Sequence, residues 1–166
     1  MAMGKAMVAA IAVSLVAGFG QGAPNLTGKG DACTGPRHLY ISDASGAEGN
    51  VPADNQLVFQ VRSSGCGVAM VVPFEIGGTE TNGPSDVVAG FGSIQYAEGD
   101  LAARTITVHV VPDSTPEHDE VFSVWLKHPN VRNVKIDRCV AGGTIVNDDF
   151  GVVTEPKVGA RLHCSE

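Results

Sequence analysis

Aromatic residues and charges are both scarce in this chain, at 5% and 17% of 166 residues. Beyond its first twenty-odd residues it has no long Leu/Ala/Glu/Lys stretch with a 3.6-residue period, so a helical bundle or coiled coil is excluded as the main architecture. It has no Gly-x-Ser-x-Gly elbow, no His-Glu-x-x-His, no P-loop and no dinucleotide fingerprint, which removes the common hydrolase, metalloprotease and nucleotide-binding readings. None of its four cysteines, Cys33, Cys66, Cys139 and Cys164, forms a Cys-x-x-Cys pair. Structural zinc sites and redox motifs normally show such short spacing, so neither is expected, and a site built from His38, His163 and Cys164 is set aside on the same ground. Positive charge is short as well. The formal net charge is −7, which repels nucleic acid and anionic lipid and suits cations or basic partners.

What is present begins with a leader. Lys5 precedes an apolar, small-residue run from Ala6 to Phe19, followed by Gly20-Gln21-Gly22-Ala23. That order reads as a secretory signal peptide over residues 1–22, and the run is short for a membrane span of about 20 residues. An uncleaved anchor is the alternative, and it is the one route by which the chain would meet a membrane. An exported domain with an even number of cysteines is expected to hold two disulfides, with three possible connectivities. Residues 23–36 form a polar lead-in, in which Asn25-Leu26-Thr27 fits the N-glycosylation pattern.

From there the chain alternates. Short Val/Ile/Thr/Phe runs are separated by Gly, Pro, Asn and Asp, and seven strands are predicted: His38–Asp43, Leu57–Arg62, Val68–Ile76, Phe91–Tyr96, Arg104–Val111, Val121–His128 and Cys139–Val146. Ile106, Val108 and Val110 fall on one face of the fifth, and Phe122, Val124 and Leu126 on one face of the sixth. Seven short strands at this spacing predict an all-β, immunoglobulin-like antiparallel β-sandwich over residues 37–149. Residues 150–166 are read as a tail tethered by a disulfide.

The acids are not spread evenly over that scheme. Consecutive antiparallel strands send every second connection to the same end. Glu48, Asp86, then Asp113, Glu117, Asp119 and Glu120, and finally Asp148 and Asp149 would all gather at one pole. The opposite pole carries Glu98, Asp100 and Asp137 too, but there Arg62, Arg132, Lys135 and Arg138 accompany them. Two carboxylates about 4 Å apart repel by roughly 4 kcal/mol at an effective dielectric near 20. Several together must protonate, splay apart or hold a cation. A hard divalent ion is the natural solution. Calcium takes 6–8 oxygen ligands with tolerant geometry, whereas magnesium demands stricter order, and no soft ligands are at hand for zinc or copper. The alternative is that these acids are solvated loop charges that keep a β protein soluble.

Five segments, in order, resemble a Calx-beta domain. They are Ile41–Asn50 (ISDASGAEGN), Gly78-Thr79-Glu80-Thr81 with Ser85-Asp86, Gly92–Gly99 before Thr105–Val108, Asp113–Leu126 (DSTPEHDEVFSVWL), and Gly143–Asp149 (GTIVNDD). The resemblance implies an immunoglobulin-like sandwich that binds calcium in the loops at one end. It implies as metal ligands Glu48, Asp86, Asp113, Glu117, Glu120, Asp148 and Asp149, with Asp119 supporting the loop. It also implies a non-enzymatic role in adhesion, structure or protein interaction, with a metal-free interaction domain that binds a protein or surface partner as the alternative. Pro112, Asn147, Gly77, Pro84 and Val87 depart from the fuller calcium-binding pattern and remove charge or shape from it. Fewer ions or weaker affinity are expected, in the range of about 10⁻⁴–10⁻³ M known for extracellular modules. On the topology so implied, Cys66 and Cys139 share the pole opposite the acids, and the favoured pairs are Cys66–Cys139 and Cys33–Cys164. Ser114, His118 and Asp119 spell a hydrolase triad, but neighbouring loop positions do not give its geometry. Glu117 and Glu120 lack the aromatic-lined cleft of a glycosidase.

Overall fold

Leu57, Phe59 and Val61 are buried while Val58, Gln60 and Arg62, which alternate with them, are exposed, and this two-residue period makes Gln56–Gly65 a strand, the longest among the described residues. A computed structural model describes residues 33–50, 55–77 and 86–151. The predicted leader, most of the lead-in with Asn25, the segment Gly78–Ser85 and the tail from 152 onward with Cys164 lie outside the described residues.

Nine strands are described: β1 (Arg37–Ile41), β2 (Ala44–Ala47), β3 (Gln56–Gly65), β4 (Met70–Gly77), β5 (Gly90–Tyr96), β6 (Arg104–His109), β7 (Glu120–Leu126), β8 (Val134–Arg138) and β9 (Val140–Val146). They form a four-stranded sheet in the order β6-β3-β1-β8 and a five-stranded sheet in the order β2-β9-β7-β4-β5. The inward faces meet in one core. Leu39, Ile41, Phe59, Val61, Val72, Phe122 and Val124 are fully buried there, and the Phe59 and Phe122 rings meet edge to face with centroids 5.8 Å apart.

Two features differ from the seven-strand antiparallel expectation. The predicted first strand ends at Ile41, and a strand that was not predicted, β2, follows it because the chain changes sheet at Ser42-Asp43. Asp43 holds this corner by accepting from the Gly142 N–H at 2.7 Å and pairing with Arg138. The chain changes sheet again at Cys139, between β8 and β9. β8 has five residues, three of them charged, so it reads as a loop in the sequence. As a result β1 runs parallel to β8 and β2 parallel to β9, and both sheets are mixed.

The disulfide expectation is corrected. Cys33 is bonded to Cys66, with Cα atoms 5.5 Å apart, and Cys139 is itself in a disulfide, so neither Cys66–Cys139 nor Cys33–Cys164 forms. The reason is register. Arg37 pairs with Gly65 at the end of the β1–β3 ladder, so the residues running into β1 lie beside those leaving β3. That pole is pinned a second way. The fully buried Arg37 donates to Ser63 Oγ and Val68 O, each at 2.7 Å, and to the Asp100 carbonyl, while its guanidinium stacks 4.2 Å from the Tyr96 ring centre.

Candidate metal centre

At the other pole four chain segments converge. Glu48 follows β2 and is 1% exposed; its N–H donates to Val146 O at 2.9 Å, continuing the β2–β9 ladder by one step. Asp86, 2% exposed, precedes Val87, which bridges Val110. The Asp86 carbonyl accepts from Val111 N–H at 2.8 Å, and this ties the β4–β5 connection to the exit of β6. Asp113 lies three residues past that bridge, and its N–H donates to Glu48 Oε1 at 3.0 Å. Glu120 opens β7 opposite Ile145 and is 6% exposed.

The structure brings together carboxylate oxygens of Glu48, Asp86, Asp113 and Glu117, all within 4.8 Å of one another. Glu120 joins them through a hydrogen bond to the Asp86 side chain. Asp148 stands at the rim, where its Oδ1 accepts from Gly49 N–H at 3.0 Å. Asp149 is half-buried beside it. Asp119 does not join the cluster of four; its Oδ1 accepts from Asn147 N–H at 3.1 Å.

In the sequence Asn147 reads only as a lost charge. The structure gives it a different part. Its Nδ2 donates to Glu117 O at 2.8 Å and Asp149 O at 3.3 Å, and its Oδ1 accepts from Asp149 N–H at 3.2 Å. One amide thereby sets the backbone of two acidic segments. An aspartate there would have no N–H to offer the two carbonyls. The Asn-Asp-Asp run was the available signal, since Asn readily bonds to the backbone two residues on.

Electrostatics at this pole are strained by burial. Removal from water, followed by Asp86, Asp113 and Glu117 as neighbours, pushes the Glu48 carboxyl up to about 7, against the pull of the Asp113 N–H. Burial first, then Asp86 and Glu117, pushes Glu120 up to about 7 as well. Asp86 is raised by burial and by Asp113, while the hydrogen bond with Glu120 lowers it. Burial thus favours the protonated form of both carboxyls, and the hydrogen bond between them couples the two. Even so, Asp86 Oδ2, Glu120 Oε2 and Asp149 Oδ2 are buried without a hydrogen-bond partner. Buried acceptors are rarely left so, and three of them stand at this one pole. The donors are all hard oxygens at varied depth, on connections of unequal length. That set fits a large, oxygen-loving dication better than a soft metal.

Two mixed sheets packed face to face, with acidic connections gathered at one pole, define a β-sandwich of the Calx-beta fold. Among solved structures the chain is similar to the Calx CBD1 domain in its apo form, with a TM-score of 0.58 at 20% identity over 68% of this chain and 98% of that one. It is similar also to CBD12 from CALX1.2, with a TM-score of 0.57 at 20% identity over 68% of this chain and 44% of that one, and to the Calx CBD2 domain, with a TM-score of 0.53 at 12% identity over 67% and 86%. The chain thus spans under half the length of the CBD12 structure. No family profile matches the chain, and no curated protein matches it.

Proposed function

We propose that this chain is a secreted, non-enzymatic, calcium-binding β-sandwich module with a structural, adhesive or protein-interaction role. The observation that carries the reading is the pole itself: four carboxylates from three connections within 4.8 Å, beside three buried acid oxygens that lack partners. One similar solved structure, matched at 21% identity, is that of the calcium binding domain CBD12 of CALX1.1. Glu48, Asp86, Asp113, Glu117 and Glu120 would hold the ion, with Asp148 and Asp149 at the rim. Asn147 and Asp119 position them. The chemistry is neutralisation: a dication relieves the repulsion and supplies the missing partner, so loops from both sheets are locked together.

Calorimetric titration of the mature chain with calcium tests this. Saturable binding is expected at millimolar calcium or below. Asp113→Asn and Asp149→Asn are each expected to weaken it about tenfold or more, since each removes a full ligand charge. A chain that takes up no calcium at several millimolar at pH 8 is not a calcium module.

A further inference from the structure

Cys33 and Cys66 are bonded to each other, and Cys139 is in a disulfide as well. A sulfur in a disulfide bonds one other sulfur, so neither Cys33 nor Cys66 is the partner of Cys139. The chain has four cysteines, and the one left is Cys164. Cys139 lies at the pole away from the acids. It is 8% exposed, it precedes β9, and its carbonyl accepts from Leu126 N–H at 2.7 Å.

Reach permits the pairing. β9 carries the chain from Cys139 to the acidic pole, about 23 Å over seven residues. The thirteen steps from Gly151 to Cys164 cover up to roughly 45 Å when extended, about twice the return distance. Path and return close a ring from Cys139 to Cys164, and the run Asn147-Asp148-Asp149 lies inside it.

Where the ring leaves the acidic pole it is fitted to the acids. Gly151 lies so close to Pro116 that a side chain on it would have no room. Pro116 belongs to the β6–β7 connection, which supplies Asp113 and Glu117. Asn147 Nδ2 donates to Glu117 O in that same connection, and Asp148 Oδ1 accepts from Gly49 N–H beyond β2. The ring thus passes against the loop that carries two of the four clustered carboxylates.

We infer that Cys139 and Cys164 form a second disulfide, and that the ring it closes clamps the rim acids and the β6–β7 connection in place. The bond follows from the sulfurs alone. The clamp deepens the proposed calcium site, and it acts on the ion-free fold too. Closing the ring takes two electrons and two protons from the two thiols; a disulfide oxidant accepts them and becomes a dithiol. With its far end tied, the segment after β9 has fewer conformations open to it, so Asp148 and Asp149 are held before any ion arrives.

Trypsin digestion of the full chain without reductant tests the bond. Residues 139–157 should be recovered joined to residues 162–166, and reductant should part them. In denaturant Cys164→Ser should titrate as one free thiol and the wild type as none, a reading that does not depend on folding. Cys139 joined to another cysteine, recovered as a thiol, or linking two chains on a non-reducing gel overturns the bond. Amide hydrogen exchange in chelator tests the clamp, so its outcome stays separate from that of the calcium titration. Cys164→Ser should speed exchange of the Gly49 and Asn147 amides, whose acceptors are Asp148 and Asp119, at least tenfold. Replacing Cys33 and Cys66 together by alanine, which loosens the other pole, should leave both amides within about twofold. Rim amides that ignore Cys164→Ser, or that respond as strongly to the alanine pair, overturn the clamp.

Discussion

Glu48 and Glu120 are glutamates held where water cannot reach them, and each responds by keeping its proton to about pH 7, against an ordinary value of 4.5. The consequence for stability has a definite sign. Between about 4.5 and 7 the folded, ion-free chain binds more protons than the unfolded one, so its stability is greatest below that window and falls as pH rises through it. Each group alone corresponds to about 3 kcal/mol, and the pair with Asp86 titrates jointly, so the two do not simply add. Asp43, lowered chiefly by its bond with Arg138, and Asp100, lowered chiefly by the Ala102 N–H, act in the opposite sense but only as pH falls through the range below about 3.8. In chelator, the melting temperature is therefore expected to drop between pH 5 and pH 8. Calcium should restore it most at pH 8, where no proton has to be displaced. Glu120→Gln, an amide in place of the protonated acid, should flatten much of the drop and also weaken calcium uptake. A melting curve in chelator that rises steadily over that interval would contradict the assigned burden on these two groups.

β9 shows what an element contributes that its residues do not advertise. Its sequence, Val-Ala-Gly-Gly-Thr-Ile-Val, looks soft at the two glycines, yet it is an interior strand, paired on both sides by β2 and β7. Gly143 lies opposite Phe122, and that ring occupies the space where a Cβ would stand. Gly143→Ala must push the Phe122 ring against its core neighbours, Phe59 among them, and should cost about 1–3 kcal/mol in urea unfolding at unchanged slope. The alternation around it was legible in the sequence: Ile106, Val108, Val110, Phe122, Val124 and Leu126 are all buried on the faces their period assigns. The gathering of Glu48, Asp86, Asp113 and Glu117 was legible too, because strand parity fixes which connections share a pole. The two changes of sheet were not. Periodicity reports that a residue is extended and which way it faces, but it carries no mark of which sheet a strand joins. β8 was hidden because an edge strand with Lys135, Asp137 and Arg138 needs only one buried face and is short of apolar residues. The glycine–phenylalanine fit of β9 was hidden because complementary volumes lie 21 positions apart in the chain.

The ten residues of β3 span about 33 Å and make the longest strand among the described residues. At one end the acidic pole joins both sheets through Glu48, Asp86 and Asp113; at the other the Cys33–Cys66 bond and Arg37 close the start of the sandwich. The fold is thus closed at two places that share no residue. A disulfide across a sequence separation of 33 restricts the unfolded chain by roughly 3–4 kcal/mol in the chain-entropy account. An ion bound at a hundredfold excess over its dissociation constant adds about 2.7 kcal/mol. Effects so far apart, with no common partner, should add. Replacing Cys33 and Cys66 together by alanine is therefore expected to lower the stability measured in chelator by that first amount. The gain on adding calcium should stay the same within about 0.5 kcal/mol. The pairing itself is read directly from a non-reducing peptide map, where the Cys33 and Cys66 peptides should run joined. Loss of the calcium response in the double variant would mean instead that the two poles move as one, with the strands between them transmitting disorder from the broken clasp to the acids.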